Sequence, residues 1–95
     1  MIDMKQYPLT YGRGVSCGFW SPIEWDAIIS RLSERIERYL ESNPIPEFRV
    51  DQVKEKFGGL RFYVNVSNEV IDQYILEAEI AVNELEKGFR DEIGN

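Results

Sequence analysis

Apolar residues recur along this chain in rhythms that change twice. Between Ser21 and Asn43, the residues Trp25, Ile28, Ile29, Leu32, Ile36, Tyr39 and Leu40 fall three, one or four apart, the spacing of one apolar stripe on an α-helix. Arg31, Glu34, Arg35, Glu37, Arg38 and Glu41 fill the gaps and are expected to face water. Glu34 precedes Arg38 by four residues, the favourable order for a helical ion pair. Ser21 reads as the N-cap, Pro22 as the first helical residue and Glu24 as the return partner of a capping box. Pro44 and Pro46 stop the helix, because proline cannot donate the next backbone hydrogen bond.

The rhythm then shortens to two. Residues 48–54 read as a strand and residues 60–66 as a second, with Leu60, Phe62, Val64 and Val66 on one side and Arg61, Tyr63 and Asn65 on the other. Gly58 and Gly59 supply the backbone freedom of a tight connection between them. Helical spacing returns after Ser67 or Asn68, either of which can cap a helix to Lys87 that Gly88 ends. Its inner stripe is Ile71, Tyr74, Ile75, Ala78, Val82 and Leu85. Leu76 and Ile80 point roughly opposite, and this second stripe predicts a partner surface, hence a homodimer or larger homo-oligomer.

These elements predict a single α+β domain. Residues 1–20, rich in Gly, Tyr and Ser, are an irregular segment with room for one short strand. Residues 21–88 form a helix–β-hairpin–helix core with both helices on one face of a small antiparallel sheet. Residues 89–95 are a frayed tail.

Composition narrows the chemistry. A chain of 95 residues with 43% hydrophobic and 13% aromatic content can bury one modest core without metal or disulfide staples. Cys17 is the sole cysteine, so no internal disulfide forms; a reducing cytoplasm suits it, and a packed thiol is the expected state. The first residues lack a basic-then-apolar leader pattern, and no apolar run approaches a membrane span. The net charge of −6 is polarised: nine acids balance nine bases up to Val66, and the excess lies in the last third. That surface disfavours DNA and anionic lipid and favours basic partners.

The chain has no histidine, which removes Ser–His and Cys–His nucleophiles. One cysteine and scattered carboxylates make a poor zinc donor set. No phosphate-binding loop in a strand–loop–helix context is present. A non-enzymatic protein without cofactor is expected.

The densest chemistry sits at the hairpin. Lys54 and Lys56 share a strand face by their even spacing, Arg61 follows the turn, and the amides of Gly58 and Gly59 are open to close approach. Such a cluster can hold a phosphate or carboxylate, with Tyr63 as a stacking surface for a base. A plain solvated turn, with Phe57 plugging the core beneath it, explains the same residues.

The stretch "VDQVKEKFGGLRFYV" resembles the signature of a small phage and prophage family reading Val-x-x-Val/Ile-Lys-Glu-Lys-Phe-Gly-Gly/Thr-Leu-Arg-Phe-Tyr. Upstream, that family carries Cys-Gly-Asp-Gly-Trp and Ile-Ile-x-x-Leu; Cys17, Gly18, Trp25, Ile28, Ile29 and Leu32 match, while the Asp-Gly is absent and the spacing is longer. Relatives continue into a Cys-x-x-Cys-Gly segment that this chain lacks, so no zinc role carries over. The resemblance spans residues 15–79 and implies a phage accessory protein in the host cell. One expectation is an inhibitor of a bacterial defence system that binds a defence protein or a nucleotide-like signal. Others are an immunity protein covering a toxin's basic cleft, or a structural phage component. Two surfaces serve these readings: the basic hairpin (Lys54, Lys56, Gly58, Gly59, Arg61, Tyr63) and the second helix (Leu76, Ile80, Glu77, Glu84).

Overall fold

A computed structural model describes residues 1–93, with 89–93 described by backbone alone. A 3₁₀ turn at Met4–Gln6 leads into a four-residue helix α1 (Pro8–Tyr11), followed by α2 (Asp26–Ser42), β1 (Val50–Lys56), β2 (Gly59–Val64) and α3 (Glu69–Ile93). The chain is an α+β globule in which the antiparallel hairpin lies between α2 and α3, as the pattern predicts, with α3 packed on β2. Contacts of Trp25 with Glu86, Arg35 with Glu77 and Tyr39 with Asn68 show that α2 and α3 run antiparallel.

The core collects the helical stripes and the inward strand positions. Trp25, Ile29, Leu32, Ile36 and Leu40 of the α2 region meet Val50, Val53, Leu60 and Phe62 from the sheet and Ile71, Ile75, Ala78 and Val82 from α3.

Several boundaries differ from expectation. The capping box is not made: Pro22 holds extended ψ 145°, a 3₁₀ turn occupies Ile23–Trp25, and α2 starts only at Asp26. A residue before proline is biased away from helix, so Ser21 stays outside, and its buried hydroxyl has no hydrogen-bond partner among the described residues. Asn68 does cap α3, its Oδ1 accepting from the Val70 and Ile71 amides at 3.0 and 3.1 Å. Gly88 does not end that helix, which continues to Ile93, so residues 89–93 of the expected tail are helical; residues 94–95 lie outside the described ones. Glycine lowers helix propensity by only about 1 kcal/mol, which neighbouring good helix formers offset.

Glu37 is the sharpest correction. Placed on the wet face of α2 by its spacing, it is 2% exposed. Its carboxylate accepts from the Leu9 and Thr10 amides and the Thr10 hydroxyl at 3.1, 2.9 and 2.8 Å. Beside it, the Tyr11 and Ser33 hydroxyls share a buried hydrogen bond of 2.6 Å. The N-terminal segment is thus tied to α2 by polar groups rather than left irregular.

The same segment lines the outer edge of β1. Val15 and Phe19 form parallel bridges to Val50 and Val53, with Cys17 N–H donating to Asp51 and Trp20 N–H donating to Val53. Cys17 is exposed there, not packed, because it follows the covered edge on its solvent side.

Candidate functional site at the hairpin

Register places the predicted site residues. Lys54 faces Arg61, Gln52 faces Tyr63 and Lys56 faces Gly59, while the intervening pair Val53 and Phe62 points into the core. Directly opposed residues of an antiparallel pair project from one side of the sheet. Lys54, Lys56, Arg61 and Tyr63 therefore share the outer face, as the spacing implied for the lysines. Lys54 and Arg61 are a like-charge cross-strand pair, an arrangement that destabilises a bare hairpin. Tyr63 is 46% exposed beside them.

The turn differs from its expected form. Its two central residues are Phe57 and Gly58, with φ of 55° and 79°, and Gly59 belongs to β2. Two positive φ values in a two-residue loop define a type I′ turn, whose twist matches that of the strands. Glycine adopts this conformation freely, whereas a left-handed Phe costs about 1–2 kcal/mol. Phe57 does not plug the core: it stands 91% exposed at the tip, with the Lys56 ammonium 5.7 Å from its ring centroid.

The Gly58 amide is not open to a ligand either, because it donates to the Glu55 carboxylate at 2.6 Å. The turn carries its own anion. Arg61 reaches back to the Leu60 carbonyl at 3.2 Å and lies in the field of Glu79 on α3. Of the six hairpin residues singled out from sequence, four form one surface, Gly58 serves the turn and Gly59 opens β2.

On α3, Leu76 and Ile80 are 47% and 51% exposed, the outward stripe the sequence predicts. Glu84 is exposed, but Glu77 is answered within the chain. Arg35 donates to both Glu77 oxygens at 3.2 and 3.4 Å while stacking 4.1 Å from the Tyr74 ring centroid. That hydrogen bonding holds the Glu77 carboxyl below the usual range. Arg31, Arg35 and Tyr74 rim a groove of about 490 Å³ between α2 and α3, floored by Ile28, Leu32 and Ala78.

Sequence reasoning passed over Glu79, which is half-buried against β2 and whose carboxyl is pushed up by desolvation that Arg61 only partly offsets. Its position four residues after Ile75 on the β2 side of α3 is the signal that could have found it. Among the described residues, no three of His, Cys, Asp and Glu converge on a point that could hold a metal ion. Comparison of the chain with protein-family models, with curated proteins and with solved structures finds no match.

Proposed function

We propose that this protein acts without turnover, as a phage-type inhibitor that blocks a bacterial defence activity by occupying a protein in the host cytoplasm. The supporting observation is Phe57. A bulky apolar side chain is held in a strained left-handed turn and offered almost wholly to solvent, where Asn or Gly would be cheaper. Aromatic side chains, Phe among them, are enriched at protein–protein interfaces relative to the rest of the surface. The Lys56 ammonium lies beside the ring, with Lys54 further down the same face, so the matching surface on the target is an apolar pocket with an acidic flank. A small anionic signal is the weaker reading, because Glu55 already occupies the Gly58 amide. The phage setting comes from the resemblance of the hairpin motif, and the lack of histidine supports binding over hydrolysis.

The test is Phe57→Asn, which gives the turn the Asn-Gly pair that type I′ geometry prefers. Relief of the left-handed strain should raise stability to chemical denaturation by about 1 kcal/mol. The same variant should lose protection of phage in a plaquing assay on defended cells. A variant that is more stable and fully protective would remove the tip from the function. The immunity reading is favoured by the acidic exposed face of α3. It is separated by Glu84→Lys, which should leave the inhibitor active and would cripple a toxin antidote.

A further inference from the structure

Along the seam between α2 and α3, polar residues meet across the helices as rungs, and one rung lacks its second half. Arg35 donates to both oxygens of Glu77. The helices run antiparallel, so a turn back along α2 corresponds to a turn forward along α3. Four residues before Arg35 stands Arg31, and four after Glu77 stands Ala81, both lining the groove of about 490 Å³. On the rung where Arg35 has a carboxylate opposite, Arg31 has a methyl group. Arg31 is exposed and makes no ion pair among the described residues. Its charge reaches Glu77 only as the last influence on that carboxyl, behind the hydrogen bond from Arg35. The small side chains of Ala27 and Ala81 leave this end of the groove open above Ile28 and Ala78. Tyr74, with the Arg35 guanidinium 4.1 Å from its ring centroid, stands at the other end. Around the rim, Arg31 and Arg35 set against Glu77 leave a single positive charge over.

We infer that this groove binds a monocarboxylate with an apolar body, whose carboxylate takes on Arg31 the place that Glu77 takes on Arg35. A guanidinium presents paired donors that match the two oxygens of a carboxylate, and such charge-assisted pairs are stronger than neutral hydrogen bonds. The apolar body lies over Ile28, Leu32 and Ala78, which floor the groove. A volume of about 490 Å³ falls within the range of small-molecule sites, which are mostly apolar with a few placed polar groups. The single spare charge sets the charge of the ligand. A cation would meet Arg31, and a second anionic group would meet Glu77. The groove shares no residue with the hairpin surface, so this site is separate from the one proposed above. A free acid and the last residue of a peptide present the same chemistry.

The experiment titrates the full chain with hydrocinnamate and, as its neutral match, hydrocinnamide, read by NMR. Saturable shifts of the Arg31 side-chain N–H and of the Ala27 and Ala81 signals are expected with the acid. The amide should bind at least about tenfold more weakly. Arg31→Gln should weaken binding of the acid about tenfold or more and leave the amide unchanged. Ala81→Glu supplies the missing half of the rung from within the chain. It should abolish binding of the acid while the fold persists, because residue 81 is exposed on the helix. Phe57→Asn should leave binding unchanged, which separates this site from the hairpin tip. An acetylated tripeptide ending in Phe that binds more tightly than hydrocinnamate would identify the ligand as a chain terminus, and the reverse order as a free acid. Equal binding of acid and amide would overturn the inference. So would undiminished binding of the acid by Ala81→Glu, or the absence of a saturable shift with either carboxylate.

Discussion

The contact between α1 and α2 and the groove between β2 and α3 each draw a glutamate out of bulk water, and they treat it in opposite ways. Glu37 is 2% exposed and receives three hydrogen bonds from Leu9 and Thr10. Glu79 is half-buried, and among the described residues the charge of Arg61 offsets part of its desolvation. A buried charge with its donors in place is part of the scaffold, and removing it exposes the cost of every group it satisfied. A carboxylate partly stripped of water, with a guanidinium's field as its counterweight, costs the fold a little instead. The hairpin tip follows the second pattern in apolar form, since Phe57 carries strain and contributes little burial.

Glu37→Ala breaks the first half of that comparison and should have the largest effect. It orphans two amides and a hydroxyl in a dry site, and should lower unfolding free energy by about 3 kcal/mol, read from urea midpoints. Exchange of the Leu9 and Thr10 amides should accelerate before global unfolding, because α1 loses its tie to α2.

Tyr11→Phe should cost less, about 1 kcal/mol, the usual worth of one hydrogen bond. Its pH dependence is the sharper readout. Burial pushes the Tyr11 phenol well above its ordinary value, with the Ser33 hydrogen bond pulling the other way. The folded chain thus binds this proton more tightly than the unfolded chain. The associated stability is whole below about pH 10, the unfolded value, and drains away as pH rises beyond it. Melting curves of the wild type should fall more steeply above that pH than those of Tyr11→Phe; parallel curves would place the phenol outside the core.

Glu79→Gln should show the smallest change, and of opposite sign. Its folded carboxyl titrates above the unfolded one, so the chain is favoured at acid pH and loses that margin as pH rises through the folded value. The variant should be slightly more stable than wild type at neutral pH and indistinguishable near pH 3, by thermal melts in matched salt. A loss of stability at neutral pH would mean that Glu79 has a satisfied structural role like that of Glu37.

Periodicity and turn residues were enough to determine α2, the hairpin and α3, because burial on one face repeats every 3.6 or 2 residues and leaves a direct trace in residue order. The same logic put Lys54 with Lys56 on one strand face, Arg61 with Tyr63 on another, and Leu76 and Ile80 outward; the register joined the two pairs on one face. Which two residues make the turn was a matter of register: Phe57 and Gly58 hold the positive φ values, so the aromatic ring goes to water and Gly59 joins the strand. Only the tertiary structure could decide the fate of the polar groups. Glu37 looks like any solvated helical acid until α1, 27 residues upstream, delivers the Thr10 amide and hydroxyl to it. Cys17 looks packable until its segment runs along β1 with the thiol outward. Glu79 lines a groove with β2 only because α3 folds back beside that strand. Hydrophobic order is periodic and local, whereas a hydrogen bond between distant residues is a property of two surfaces that meet only after folding.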